Sequence, residues 1–71
     1  MNQAILFNDD HTYLAVKNRW RFTGLMSGNL ISIYIAHPKS SITQEDKFVW
    51  EEDVEEWLAD NEPDDNNEIW L

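Results

Sequence analysis

Twelve of this 71-residue chain's fourteen aspartates and glutamates fall between Glu45 and Glu68, with Lys47 as the one basic residue among them. Carboxylates at that density can do three things. They can ligate a hard cation such as calcium, exchange protons as general acids and bases, or present anionic charge to a basic partner. The stretch "WEEDVEEWLADNEPDDNNE", Trp50 to Glu68, has to be weighed against each.

Metal fits poorly. An EF-hand loop needs D-x-[DN]-x-[DN]-G with a closing glutamate. Read from Asp60 or Asp64 the glycine is missing, and from Asp64 the chain also ends too soon. Asp9, Asp10 and His11 offer two carboxylates and an imidazole, but in a composition ordinary for a turn. Catalysis fits worse, because acid–base work needs groups whose environments drive their pKa values apart inside a pocket. His11 and His37 fall in turn-like segments, no Ser/His/Asp pattern is present, and two glycines, Gly24 and Gly28, make no phosphate-cradling loop. The absence of cysteine excludes disulfides, thiolate chemistry and thiolate-bound metals, and suits a cytoplasmic setting. The expectation is a non-enzyme with no catalytic residue, no metal and no cofactor.

Anionic display fits best. Trp50, Val54, Trp57 and Leu58 recur at i, i+4, i+7 and i+8, one face of a helix, which turns Glu52, Glu55, Glu56 and Asp60 outward. Like charges stacked on a helix cost about 0.2–0.5 kcal/mol per pair, and no lysine interleaves to relieve them. A face kept only for solubility usually mixes its signs, and it remains the competing reading. The candidate partner-binding residues are Glu51, Glu52, Glu55, Glu56 and Asp60, followed by Glu62, Asp64 and Asp65 in the next loop. Residues 45–71 carry twelve acids against one lysine, a balance of −11, whereas residues 1–44 balance at +2. The acidic part is unsuited to nucleic acid or an anionic membrane. Its complement is a basic protein surface, in the sharpest form the groove of a nucleic-acid-binding protein, which the helix would block as a nucleic-acid mimic. Lys17, Arg19 and Arg21 form the only basic cluster. The simplest reading pairs them with the acidic helix of the same molecule. The alternative function is a small bacterial housekeeping domain in which Arg19 and Arg21 meet the helix of a second copy, giving a homodimer.

The elements that must position these residues follow from periodicity. "AILFN" (Ala4–Asn8) reads as a first strand closed by the polar "NDDH". In "RWRFTG" Trp20 and Phe22 alternate with Arg19, Arg21 and Thr23, a strand with one buried and one wet face. "MSGN" supplies a turn through Gly28 and Asn29, both tolerant of positive φ. "LISIYIA" (Leu30–Ala36) is apolar on both faces and so belongs at the centre of a sheet or under another element. Pro38 ends it. A helix is expected from about Thr43, capped by Thr43 with Asp46 or Ser41 with Gln44, to Asn61, ahead of Pro63. Phe48 and Val49 lie off its apolar face, so "KFVW" is alternatively extended. "EIWL" reads as a short last strand with Trp70 in the core.

The predicted fold is a single α+β domain over residues 1–71. Three or four antiparallel strands pack against one C-terminal acidic amphipathic helix. A basic n-region is missing from "MNQAILFNDDH", and no apolar run approaches the ~20 residues of a membrane span. With four Trp, three Phe and two Tyr the composition is that of a folded chain.

The opening "MNQAILFNDD", the strand pair "RWRFTGLMSGNLISIYIA" and the acidic helix followed by "DDNNEIWL" resemble a family of small uncharacterised proteobacterial proteins. Those begin with N-Q-x-I-x-F-x-D, continue through a strand pair with a glycine turn, and close on an acidic helix and an apolar end. Between Ala36 and Glu45 this chain is the shorter. The resemblance implies an α+β fold and no particular activity or site.

Overall fold

The computed structural model describes residues 4–71. It contains β1 (Leu6–Phe7), β2 (Thr12–Leu14), a 3-10 turn (Ala15–Lys17), β3 (Arg19–Met26), β4 (Asn29–Ala36), α1 (Gln44–Asp60) and β5 (Glu68–Trp70). The asparagine and glutamine that open the resemblance to the proteobacterial proteins lie outside the described residues.

The hairpin of β3 and β4 is the spine, paired from Arg19↔Ala36 to Met26↔Asn29. Its two-residue turn is Ser27–Gly28, with φ of 50° and 82°. Positive φ at both central residues is the type I′ geometry whose twist matches the flanking strands. The positive φ expected at Asn29 therefore falls on Ser27 instead, because Asn29 is already pairing in β4.

β1 and β2 are two halves of one edge. Leu6↔Leu25 and Phe7↔Gly24 pair first, then Thr12↔Arg21, Tyr13↔Trp20 and Leu14↔Arg19, all antiparallel to β3. Residues 8–11 sit opposite only Phe22 and Thr23, so "NDDH" is a wide bulge within an edge strand rather than a closing turn. Gly24 permits the crossing at Phe7: a Cβ there would stand 2.9 Å from the Ile5 side chain and 3.1 Å from the Leu6 carbonyl oxygen. Gly24→Val is expected to destabilise the fold by about 1–3 kcal/mol, read as a lower denaturation midpoint. A midpoint equal to that of the parent would mean the edge yields freely.

Two features of the predicted fold are corrected. The sheet has five strands and is mixed, because β5 pairs parallel to β4 through Ser32↔Glu68, Ile33↔Ile69 and Tyr34↔Trp70. The helix is not C-terminal but forms the crossover between β4 and β5. A helix that runs back over a sheet returns the chain to the end where the preceding strand began, so the next strand runs parallel to it. The short apolar end is what needs such a berth: Ile69 is buried and its backbone closes the sheet.

Helix α1 starts where the sequence indicates. Thr43 Oγ1 accepts from the Asp46 amide at 3.1 Å, and Asp46 accepts from the Thr43 amide at 3.0 Å, a complete capping box. The helix includes Phe48 and Val49, which excludes the extended alternative. Trp50, Val54 and Leu58 are buried against Trp20, Phe22, Ile31, Ile33, Ile35 and Ile69, with Trp57 at the margin. One face of the sheet is thus covered by the helix and the other is not.

Candidate functional site

The carboxylates divide by environment. Glu52, Glu55 and Glu56 stand exposed and, with Ala59, line a shallow dish on the outer side of α1. Asp60, Glu62 and Asp65 are exposed beyond it. Glu51 points to the helix flank and is half-buried; burial, with Glu55 and Asp9 nearby, holds its carboxyl above the ordinary value of 4.5. Asp64 folds into its own turn, accepting from the amides of Asn66 at 2.9 Å and Glu68 at 3.0 Å. Its carboxylate shapes the approach to β5, a role that aspartate at the first position of a turn performs well. Six of the eight residues singled out by charge pattern therefore face water, one leans inward and one is engaged locally.

Among the described residues no basic side chain forms a salt bridge with the outward acids. Lys47, the only cation on α1, bonds Asp9 at 2.9 Å on the neighbouring bulge and lowers the pKa of that carboxyl. Among the described residues the only other such contact is His11 with Asp9, at 3.7 Å, and it is an ion pair only when the imidazole is protonated. The expected pairing of Arg19 and Arg21 with the helix of the same molecule is absent, because the two elements lie on opposite faces of the sheet. Nor do three of the described His, Asp and Glu side chains converge to hold a metal ion. Among the described residues no helix is long and apolar enough to cross a membrane.

Phe48 and Val49 share the outward surface with Glu52 and Glu56, and they are 56% and 47% exposed. Charge reasoning passed them over, although their place off the apolar stripe was the available signal.

The helix-free face carries the basic cluster. Trp70 belongs here and not to the core: it is 43% exposed, while Ile69 takes the buried position by strand alternation. Trp70 stacks on Tyr34, its partner across β4 and β5, with ring centroids 4.0 Å apart and planes 8° from parallel. Lys17 Nζ lies 5.7 Å and Arg19 Cζ 5.2 Å from the Trp70 ring centroid, both within cation–π range. Arg19 also donates to the Leu71 carbonyl at 3.4 Å, and Arg21 donates to Ser32 Oγ at 3.1 Å. Among the described residues neither arginine forms a salt bridge with an Asp or Glu side chain, although the charge of Arg21 reaches the Asp10 carboxylate and helps to lower its pKa.

His11 is the other residue the sequence misplaced. Its side chain is 3% exposed, stacked on Phe22 at 4.4 Å and 6.1 Å from the Trp50 ring. Neither ring nitrogen has a hydrogen-bond partner. Burial depresses its pKa below 6.5, Lys47 depresses it further, and Asp9 and Asp10 oppose them.

Compared with family models, curated proteins and solved structures, the chain matches none.

Proposed function

We propose that this chain is a non-catalytic interaction module, acting in the cytoplasm, whose acidic helix seats in a basic groove of another protein. In its sharpest form the groove belongs to a nucleic-acid-binding protein, and the helix occupies it as an anionic mimic. One observation carries the reading: beyond the exposed Phe48 and Val49, every charge on the outward face of α1 is negative, and none of these carboxylates forms a salt bridge among the described residues. From Glu52 through Asp53, Glu55 and Glu56 to Asp60 the helix rises eight steps, or about 12 Å at 1.5 Å each, which is about one charge per 3 Å. A single DNA strand offers one per ~3.4 Å. A groove built for that spacing gains similar Coulomb energy from the helix, without any contact to bases.

Affinity capture from the native host, followed by mass spectrometry, would supply the partner. Glu52→Lys, Glu55→Lys, Glu56→Lys and Asp60→Lys combined should then weaken binding on the order of a hundredfold or more. The far-UV circular dichroism spectrum should stay that of the folded parent, since all four side chains are exposed. Undiminished binding by the folded variant would sink the proposal.

A further inference from the structure

The helix-free sheet face repeats, in complementary form, the layout of the helix face. At one end of the sheet Leu6, Leu25 and Leu30 stand side by side in register across β1, β3 and β4, all exposed. At the other end are Lys17, Arg19 and Arg21 and the Trp70–Tyr34 stack, three cations against the Glu68 carboxylate bonded to the two rings and the Asp10 carboxylate near Arg21. The outer face of α1 begins with exposed Phe48 and Val49 and continues into Glu52, Glu55 and Glu56. Each surface is therefore apolar at one end and charged at the other, with opposite charge.

Their lengths agree. Leu25 to Arg19 covers six residues of strand, about 20 Å, and Phe48 to Asp60 covers twelve residues of helix, about 18 Å. Tryptophan, tyrosine and arginine together are the side chains most enriched where proteins bind.

We propose that the helix-free face is a docking surface for the acidic helix of a second copy, with apolar end on apolar end and arginines on glutamates. This goes beyond the helix-in-groove reading, because it assigns a function to the opposite side of the molecule. The contact is heterologous, so each copy offers both a helix and a sheet, and association continues past the dimer unless a ring closes. A helix about 10 Å wide over some 20 Å of sheet covers a few hundred Å² per copy, below a standard interface, so association is weak. The net charge of −9 repels copies at long range. Attraction wins where the Debye length is near 10 Å, at about 0.1 M salt, and weakens near 1 M, where it is about 3 Å.

Two variants isolate the two sides. Arg19→Glu with Arg21→Glu disables the sheet, and Glu52→Gln, Glu55→Gln and Glu56→Gln together disable the helix. In sedimentation velocity at about 0.1 M salt and concentrations up to about 1 mM, the parent should gain mass beyond a dimer. Each variant alone should stay monomeric, and a one-to-one mixture should form a heterodimer that grows no further. Folding of each is checked by circular dichroism, with Arg19→Gln and Arg21→Gln in reserve if the reversal melts the sheet. A monomeric parent would overturn the proposal, as would a mixture that does not pair. So would a face that binds fluorescent oligothymidine while the chain stays monomeric, which would make it a stacking platform for single strands. The arginine variants should bind a captured basic partner as the parent does, so this proposal can fail without the helix-in-groove reading failing.

Discussion

Trp50→Ala is expected to abolish the cooperative unfolding transition, whereas Trp70→Ala leaves it almost in place. Trp50 is 7% exposed and joins the two layers: its ring lies 6.1 Å from Trp20, 6.4 Å from Phe22 and 5.3 Å from His37 by centroid. Truncating a buried tryptophan to alanine costs about 3–5 kcal/mol, since the surrounding rings cannot collapse into the space. Domain stability runs at roughly 0.05–0.15 kcal/mol per residue, about 4–11 kcal/mol for a chain of this size, and domains this small are marginal, at the lower end of it. There the loss takes most of the total. Trp50→Phe should restore a transition, because an aromatic ring still fills most of the site. Trp70, stacked on the open face, should cost about 1 kcal/mol or less on truncation. Urea denaturation followed by circular dichroism checks the pair, and equal losses at the two positions would mean that the layers are held differently.

Acid is expected to destabilise the protein in two stages, each traceable to the bulge at residues 8–11. The first belongs to His11. With its pKa lowered in the fold by burial, His11 is neutral in both states above pH 6.5 and costs nothing there. As pH falls below 6.5 the unfolded chain takes up the proton first, and stability drops until the lowered folded value is reached. His11→Phe should remove this stage. It should also raise stability at neutral pH by about 1 kcal/mol, since two buried nitrogens without partners give way to a ring of similar shape.

The second stage belongs to Asp10 and Asp9. Burial pushes the Asp10 pKa up, but hydrogen bonds from the Thr23 hydroxyl and amide outweigh it and leave the net value below 3.8. The Thr23 amide donates to Asp10 at 2.9 Å and its hydroxyl donates at 2.5 Å, while Asn8 Nδ2 donates to that hydroxyl at 2.8 Å. Thr23 is 3% exposed, so these bonds are its only release from burial. The stability they confer is complete above pH 3.8 and is lost as pH falls through the lowered values; Asp9, held down by Lys47, has the same sign. Glu51 runs the other way. With its pKa raised above 4.5, it favours the fold as pH falls toward 4.5 and so blunts the end of the first stage. Because Asp10 is itself exposed and its charge is screened by water, Asp10→Asn should cost only about 1 kcal/mol at pH 7 and flatten the limb below pH 3.8. Denaturation midpoints from pH 8 to pH 3 read both stages. An unchanged first stage in His11→Phe would assign it to another group.

Much of this was legible in the residues. Alternation of Trp20 and Phe22 with arginines, a turn dipeptide and the β-branched run after it determine the β3–β4 hairpin, because each depends only on neighbours along the chain. Helix α1 is equally local: Thr43 and Asp46 cap it, Trp50, Val54 and Leu58 share its inner face, and Pro63 stands beyond its end. Strand periodicity also implied that Arg19 and Arg21 face away from Trp20, and helix periodicity implied that Glu52, Glu55 and Glu56 point outward. Net charge and its asymmetry were complete before any fold was known.

What only the tertiary structure decided concerns pairs distant in sequence. Whether Ile69 or Trp70 enters the core depends on which side of β5 meets the helix, and two apolar side chains in succession do not specify a side. The direction of β5 is set by the crossover through α1, which no local pattern encodes. His11 and Asp10 look like ordinary turn residues. They become a core ring and a ladder substitute only because β1 and β2 pair with the same strand at registers two residues apart. The opposition of the basic and acidic faces is likewise a property of the sheet between them. Charge along the chain determined that this protein is strongly asymmetric, and the sheet, by separating the arginines from the glutamates, left both free to meet something else.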